Sequence, residues 1–475
     1  MQAAPCEFLF LAYFFYMTFV QRIGSPTMIA ALLGGLIVMV PTFYSAAAGG
    51  AHDAYALTFL WIAVVLIAAK VSGLIEKLGQ PAVLGELLMG VALGNLALFG
   101  ITIFEPIKVD PMILFFAELG VVILLFQIGL ESNIKEMTQV GYRAVMVAIA
   151  GIVFPFALGA YIVGPYLMPG LDLNTYLFIG AALTATSVGI TARVFKDLGK
   201  LKIKESQIVL GAAVIDDVMG LVILAVVTAM VVAGSITAGA VGFIVFKAIA
   251  FLGGAIIIGQ ITAPYVGDAF SRIHTGVGMK FALAFSVGLV MAYLANLIGL
   301  APIIGAFAGG LILDEVTFKR FRRPEFCEEL DEVSKTLDNG TKVKLDEVSR
   351  RYDHKHVENL MEPVAQVFVP IFFVVTGMMV DLTTFADTAI ILTALGLTLA
   401  AIVGKAIAGA FAGKGVNRWV IGFGMVPRGE VGLIFATIGM GLGVITDGVF
   451  SAVIIMVIIT TLITPPILSA MLKRM

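Results

Sequence analysis

The chain has 475 residues, of which 60% are hydrophobic and 13% charged, with a mean hydropathy of +1.04, against the roughly 25% charge of an ordinary soluble domain. A water-soluble globular protein is excluded, and a formal net charge of −2 offers nothing to a nucleic acid. One bilayer-crossing helix takes about 20 apolar residues, and apolar runs fill the sequence outside residues 314–362, so it reads as an all-α polytopic membrane protein.

Residues 1–50 contain apolar stretches over about 3–20 and 27–48. Arg22, the run from Met28 to Tyr44 and the tract SAAAGGA together read as a signal-peptide-like leader. From Ala54, thirteen apolar segments follow, near 54–70, 81–99, 111–130, 141–168, 174–196, 206–233, 236–265, 276–297, 301–313, 363–381, 385–412, 419–442 and 447–472. They divide into a first membrane part (51–313), a charged loop (314–362) and a second membrane part (363–475).

With the mature N-terminus outside, 25 of the 30 basic residues gather in alternate loops on one face, as the positive-inside rule requires. That puts the charged loop and the C-terminal Lys473 and Arg474 in the cytoplasm, in a cell inner or plasma membrane. The loop reads as a solvated linker; the alternative is a pH sensor built on His354 and His356, since imidazole titrates near neutrality. Cys6 and Cys327 are not expected to pair, no Cys/His spacing suits a metal centre, and no cofactor is expected.

Lys247, Lys405 and Arg428 remain inside apolar segments. A charge at membrane depth is costly unless paired or wetted, so such residues are functional candidates. Asp216 and Asp217, in GAAVIDDVMGLVILAVV, are the foremost. Adjacent helical positions point about 100° apart, so one carboxylate can face water while the other turns into the bundle and seeks a cation. Lys405, alone in LTLAAIVGKAIAGAFAG among small residues that let helices approach, is the partner expected. Lys247 is read as structural, snorkelling from a lipid-facing surface. Glu86, in QPAVLGELLMG, with Arg428 and Glu430, in GMVPRGEVGLIF, forms a second set read as a structural ion network. Glu430 lies on a different helix face from Arg428, so Glu86 or another acid is expected to complete that pairing.

Two segments carry polar or breaker residues at mid-span: Thr184, Thr186 and Ser187 in GAALTATSVGITARVF, and Pro427 and Gly429 in GFGMVPRGEVG. A proline inside a helix removes a donor and clashes with the preceding turn. The two interruptions fall seven spans apart, and so do the echoes LLFQIGLE (124–131) and FFVVTGMMVD (372–381). An odd separation reverses orientation, the mark of inverted-repeat transporters with a midplane ion site. An intramembrane aspartyl protease is disfavoured because neighbouring carboxylates diverge, and a channel because no filter-like repeat is visible. A secondary transporter is expected, not an enzyme.

The sequence resembles the monovalent cation:proton antiporter-2 family from about residue 70 onward. The resemblance rests on GQPAVLGELLMGVALG, LLFQIGLE, LTATSVGITARVFKDLG, VIDDVMG, LAPIIGAFAGGLIL, FFVVTGMMVD, VGKAIAG and PRGEVGLIF in this order. It implies sodium/proton exchange by alternating access, two crossing broken helices, and a core moving against a dimerisation domain in a homodimer. It further implies Asp217 as the carrier of H⁺ or Na⁺, Asp216 paired with Lys405, and electrogenic exchange, while leaving K⁺ open as the cation.

Overall fold

The computed structural model describes residues 54–78, 81–131, 141–200, 203–233, 238–313, 318, 320–334, 339–354, 356–383 and 387–474. The leader-like segment 1–50 lies outside them. All regular structure among the described residues is helical. In chain order these are α1 (Ala54–Ser72), α2 (Ala82–Gly94), α3 (Pro111–Glu131), α4 (Tyr142–Ala157), α5 (Leu173–Ala182), α6 (Val188–Asp197), α7 (Lys204–Ala233), α8 (Ala238–Ser271) and α9 (Val277–Leu297). They continue with α10 (Pro302–Ile312), α11 (Glu325–Ser334), α12 (Asn339–His354), α13 (His356–Met378), α14 (Thr388–Gly409), α15 (Arg418–Gly424), α16 (Glu430–Gly441) and α17 (Asp447–Lys473).

Nine helices among the described residues are long and apolar enough to cross a bilayer, and α2, α5, α10 and α16 are shorter apolar helices. Helices that are hydrophobic all round belong in a membrane or a large core, and both fates are visible. Phe243, Phe246, Ile257, Ile258 and Tyr265 of α8 are exposed, an outward apolar face suited to lipid. By contrast, Phe126, Phe307, Phe372 and Phe373 of α3, α10 and α13 are buried in the main core.

Glycines let the two halves of the chain interlock. On α2 against α13, a methyl group at Gly90 would overlap the Val374 carbonyl, and one at Gly377 the Leu87 carbonyl. On α3 against α10, the same holds for Gly310 with Phe126 and for Gly129 with Phe307. Gly129 and Gly377 are the glycines of the two echoing motifs, so each echo marks a helix pair packed backbone to backbone.

Both expected interruptions are present. The residues Leu183–Ser187 separate α5 from α6, and Met425–Gly429, with Pro427 in the middle, separate α15 from α16. Segment 314–362 departs from a plain linker, because it folds into α11 and α12 and begins α13. Arg323 bonds Asp331 at 2.6 Å, Ser349 Oγ donates to Asp331 at 3.0 Å, and the buried Cys327 Sγ donates to the Ser349 carbonyl at 3.4 Å. His356 is buried at the start of α13 with Nδ1 2.9 Å from Lys280 Nζ, whereas the His354 side chain lies outside the described residues.

Candidate ion-binding site

Asp216 and Asp217 lie near the middle of α7, far from either end of a helix that is apolar on both sides of them. Asp216 is completely buried. Lys405 Nζ, on α14, donates to its two carboxylate oxygens at 3.0 and 3.2 Å, and the ammonium is equally inaccessible. Desolvating both charges is tolerable only with such geometry.

Small residues make the pair reachable. Lys405 passes over Gly151 of α4, where an added methyl would stand 3.2 Å from Nζ, and Gly404 presses against the backbone of Pro155. Asp217, one residue on and so about 100° round the helix, is only partly buried. The Lys405 ammonium interacts electrostatically with Asp216, Arg428 and Asp217, and the Arg428 guanidinium with Asp216, so the four ionisable groups form one electrostatic unit.

The two breaks cross beside this unit and are stitched together by their own released backbone groups. Ser187 N donates to the Pro427 carbonyl at 2.8 Å, Thr186 Oγ1 to Met425 O at 3.2 Å and Thr191 Oγ1 to Gly424 O at 2.6 Å. Arg428 donates to Ala185 O, and Thr461 Oγ1 of α17 donates to Arg428 O. Five carbonyls at the breaks are thereby satisfied, which explains how unwound backbone survives at membrane depth. Thr184 turns its hydroxyl back to Ala181 O at 2.7 Å.

Gly429 is the contact point of the crossing. A methyl there would lie 2.7 Å from both Cβ and Oγ of Ser187, although the backbone (φ −120°, ψ −138°) tolerates a side chain. Gly429→Ala is therefore expected to cost about 1–3 kcal/mol through overpacking alone. A thermal unfolding scan in detergent would show this as a lowered melting temperature.

The structure brings together Asp216, Asp217, Lys405, Arg428, Thr184, Thr186 and Ser187, but not Glu86. Glu86 is buried on α2, and its charged neighbours are Lys70 and Glu76. The acid near Arg428 is instead Asp216, and the Arg428 Nε and one terminal nitrogen have no hydrogen-bond acceptor among the described residues. Of the two expectations for Arg428, Glu86 or another acid, the structure sets the second, Asp216, across the crossing. Glu430 opens α16, and its side chain lies outside the described residues. The Lys247 ammonium, read as structural, donates to the Ile298 carbonyl at 2.6 Å. Thr191, Thr461 and Gly151 are members of the site that the sequence reading did not single out.

Comparison with known proteins gives this arrangement its family. The model of the family described as "Sodium/hydrogen exchanger, transmembrane" matches residues 61–334 and 343–474. The chain is 35% identical over 450 residues to the high-affinity Na(+)/H(+) antiporter NhaS3 of Synechocystis, covering 87% of this chain and 89% of that one. It is 32% identical to the Na(+)/H(+)-K(+) antiporter GerN of Bacillus cereus, covering 86% and 95%. The fold is shared with the sodium proton antiporter MjNhaP1 of Methanocaldococcus jannaschii, with a TM-score of 0.59 at 17% identity over 87% of this chain and 96% of that one. Matched by the family model over most of its length and alike in sequence to relatives across nearly their whole chains, the protein belongs to the sodium/hydrogen exchanger family of monovalent cation:proton antiporters.

Proposed function

We propose that the protein exchanges Na⁺ for H⁺ across a membrane, the two ions competing for the carboxylate of Asp217. The observation that carries this reading is the division of labour on α7: Asp216 is locked to Lys405 out of reach of solvent, while its neighbour stays partly exposed. A partly desolvated carboxylate favours whichever cation neutralises it. Loaded with a proton or a sodium ion, the site crosses the low-dielectric barrier; empty and charged, it does not. That difference couples the two fluxes by alternating access.

A hard cation takes oxygen ligands. Because five break carbonyls already accept hydrogen bonds, Asp217 and water supply the principal ligands, with the Thr184 oxygen as a neutral donor. The crossing breaks then serve mainly as a rigid frame that holds α7 against α14.

The buried Lys405 ammonium supports electrogenic exchange. Sodium replaces one proton at Asp217, and release of the Lys405 proton on sodium binding supplies a second. Two protons then move for each sodium ion.

The family resemblance and the gathering of basic residues on one face support a homodimer in a cell inner or plasma membrane, with its C-terminus in the cytoplasm. The inverted repeat is supported by the matching glycine contacts of α2 with α13 and of α3 with α10. The relative GerN, an Na(+)/H(+)-K(+) antiporter, favours K⁺ as a second cation.

Proteoliposomes carrying pH and voltage dyes test the proposal. A Na⁺ jump is expected to drive opposite proton movement with net charge transfer, and parallel K⁺ and Li⁺ jumps rank the cations. Proton movement indifferent to every alkali cation would overturn the reading.

A further inference from the structure

Arg428 brings more donors to the crossing than the crossing uses. Its side chain is fully buried, one terminal nitrogen donates to the Ala185 carbonyl, and Nε and the other terminal nitrogen have no acceptor among the described residues. A guanidinium carries its N–H donors in a rigid planar fork and stays charged throughout the range a protein meets. Leaving much of that fork unbonded at membrane depth is costly, and anchoring one carbonyl does not require it.

The backbone that presents the fork is fixed. Thr461 Oγ1 donates to the Arg428 carbonyl, Ser187 N donates to that of Pro427, and Gly429 lies against Ser187. The unused donors are therefore held in place by the crossing itself.

Asp216 is the acid whose charge acts on them. The carboxylate that accepts from Lys405 through both oxygens also interacts electrostatically with Arg428, and Lys405 and Arg428 interact with each other. One buried carboxylate is thus served by two buried cations, one hydrogen-bonded to it and one with donors to spare.

The spare donors have a use when Lys405 gives up its proton. An ionised Asp216 facing a neutral amine would be a buried charge stripped of its bonded partner, which is strongly destabilising. We infer that Arg428 is the reserve counter-charge of Asp216: when Lys405 becomes neutral, the carboxylate turns from the amine to Nε and the free terminal nitrogen of Arg428, and it turns back when Lys405 is reprotonated. The inference rests on the reading of Lys405 as the second proton carrier. No proton moves onto or off Asp216 or Arg428; the Lys405 proton leaves, and hydrogen bonds change hands. Arg428 is accordingly a positioning residue, acting on transport through Asp216.

The test asks whether Arg428 matters through the charge of Asp216 or only through the Ala185 carbonyl. Arg428→Gln is made in the wild type, in the Lys405→Met protein and in the Asp216→Asn/Lys405→Met protein, and melting temperatures are read in detergent. The loss is expected to be about twice as large in the Lys405→Met protein, where Asp216 then lacks both cations, as in the wild type. It is expected to vanish or reverse where the carboxylate is gone. Should the Lys405→Met/Arg428→Gln protein fail to fold, recovery of folding on adding Asp216→Asn is the same result. Arg428→Lys keeps the charge and is expected to restore most of the loss in the Lys405→Met background. In the flux assay, Arg428→Gln is expected to lower the maximal Na⁺-driven rate about tenfold when Asp216 and Lys405 are native, and that factor is expected to disappear once both are neutralised.

Equal losses in all three backgrounds overturn the inference, because a bond to Ala185 does not depend on Asp216. An undiminished maximal rate in the Arg428→Gln protein overturns it as well. Melting temperatures do not depend on whether ions are exchanged, so equal losses leave the exchange reading standing. Proton release by Lys405 is read separately, from the charge moved per sodium ion. Coupling of Arg428 to Asp216 in a protein that moves no Na⁺ would defeat the exchange reading and leave the reserve pairing intact.

Discussion

Replacing Asp217 by Asn is expected to reduce Na⁺-driven proton movement in proteoliposomes to the rate of protein-free vesicles. The amide keeps the shape of the side chain but is neutral in every state, so neither ion is exchanged for the other. Asp217 is partly exposed, and the loss is expected in a protein that still folds and inserts, which its elution as a single species in detergent checks. Asp217→Glu keeps the charge and is expected to retain measurable exchange. Full electrogenic exchange by the Asn protein would refute the site assignment.

Replacing Lys405 by Met is expected to have the largest effect on stability. The buried Asp216 carboxylate then loses the ammonium bonded to both its oxygens, and breaking such a pair from one side costs about 3–5 kcal/mol. The double replacement Asp216→Asn with Lys405→Met removes both charges and is expected to recover most of that loss, a coupling that a double-mutant cycle measures through melting temperatures. Function separates from stability here. If Lys405 gives up a proton in each cycle, the double variant still exchanges ions at Asp217 but moves less charge per sodium ion, which the voltage dye reports. Unchanged charge movement would remove Lys405 from the transport stoichiometry while leaving its structural role intact.

Much of this architecture was legible in the sequence because membrane depth makes polar residues conspicuous. Asp216, Asp217 and Lys405 stand out of apolar runs, and the requirement that each find a partner or water pointed to the pair the structure contains. The breaks were legible through Pro427 and through a cluster of hydroxyls. The bonds across them were not, because hydrogen bonds such as Ser187 N to Pro427 O depend on a crossing of helices that sequence spacing does not specify.

Which acid faces Arg428, Glu86 or another, was not legible for the same reason: α2 packs against α13 while Arg428 sits at the crossing near Asp216. Gly151 carried no readable mark among 52 glycines; only its position beneath the Lys405 ammonium gives it meaning. The charged loop misled because a low-hydropathy segment outside the membrane says little about whether it folds on itself, as Arg323, Asp331 and Ser349 do.

The central claim is that H⁺ and Na⁺ exclude each other at one carboxylate, and proton release on sodium binding measures it most directly. Purified protein in weakly buffered detergent solution, titrated with NaCl against a choline chloride control, is expected to acidify the medium saturably, with apparent Na⁺ affinity rising with pH. The Asp217→Asn protein is expected to release no protons. Sodium binding that saturates without proton release, or release that persists in the Asn protein, would contradict the account.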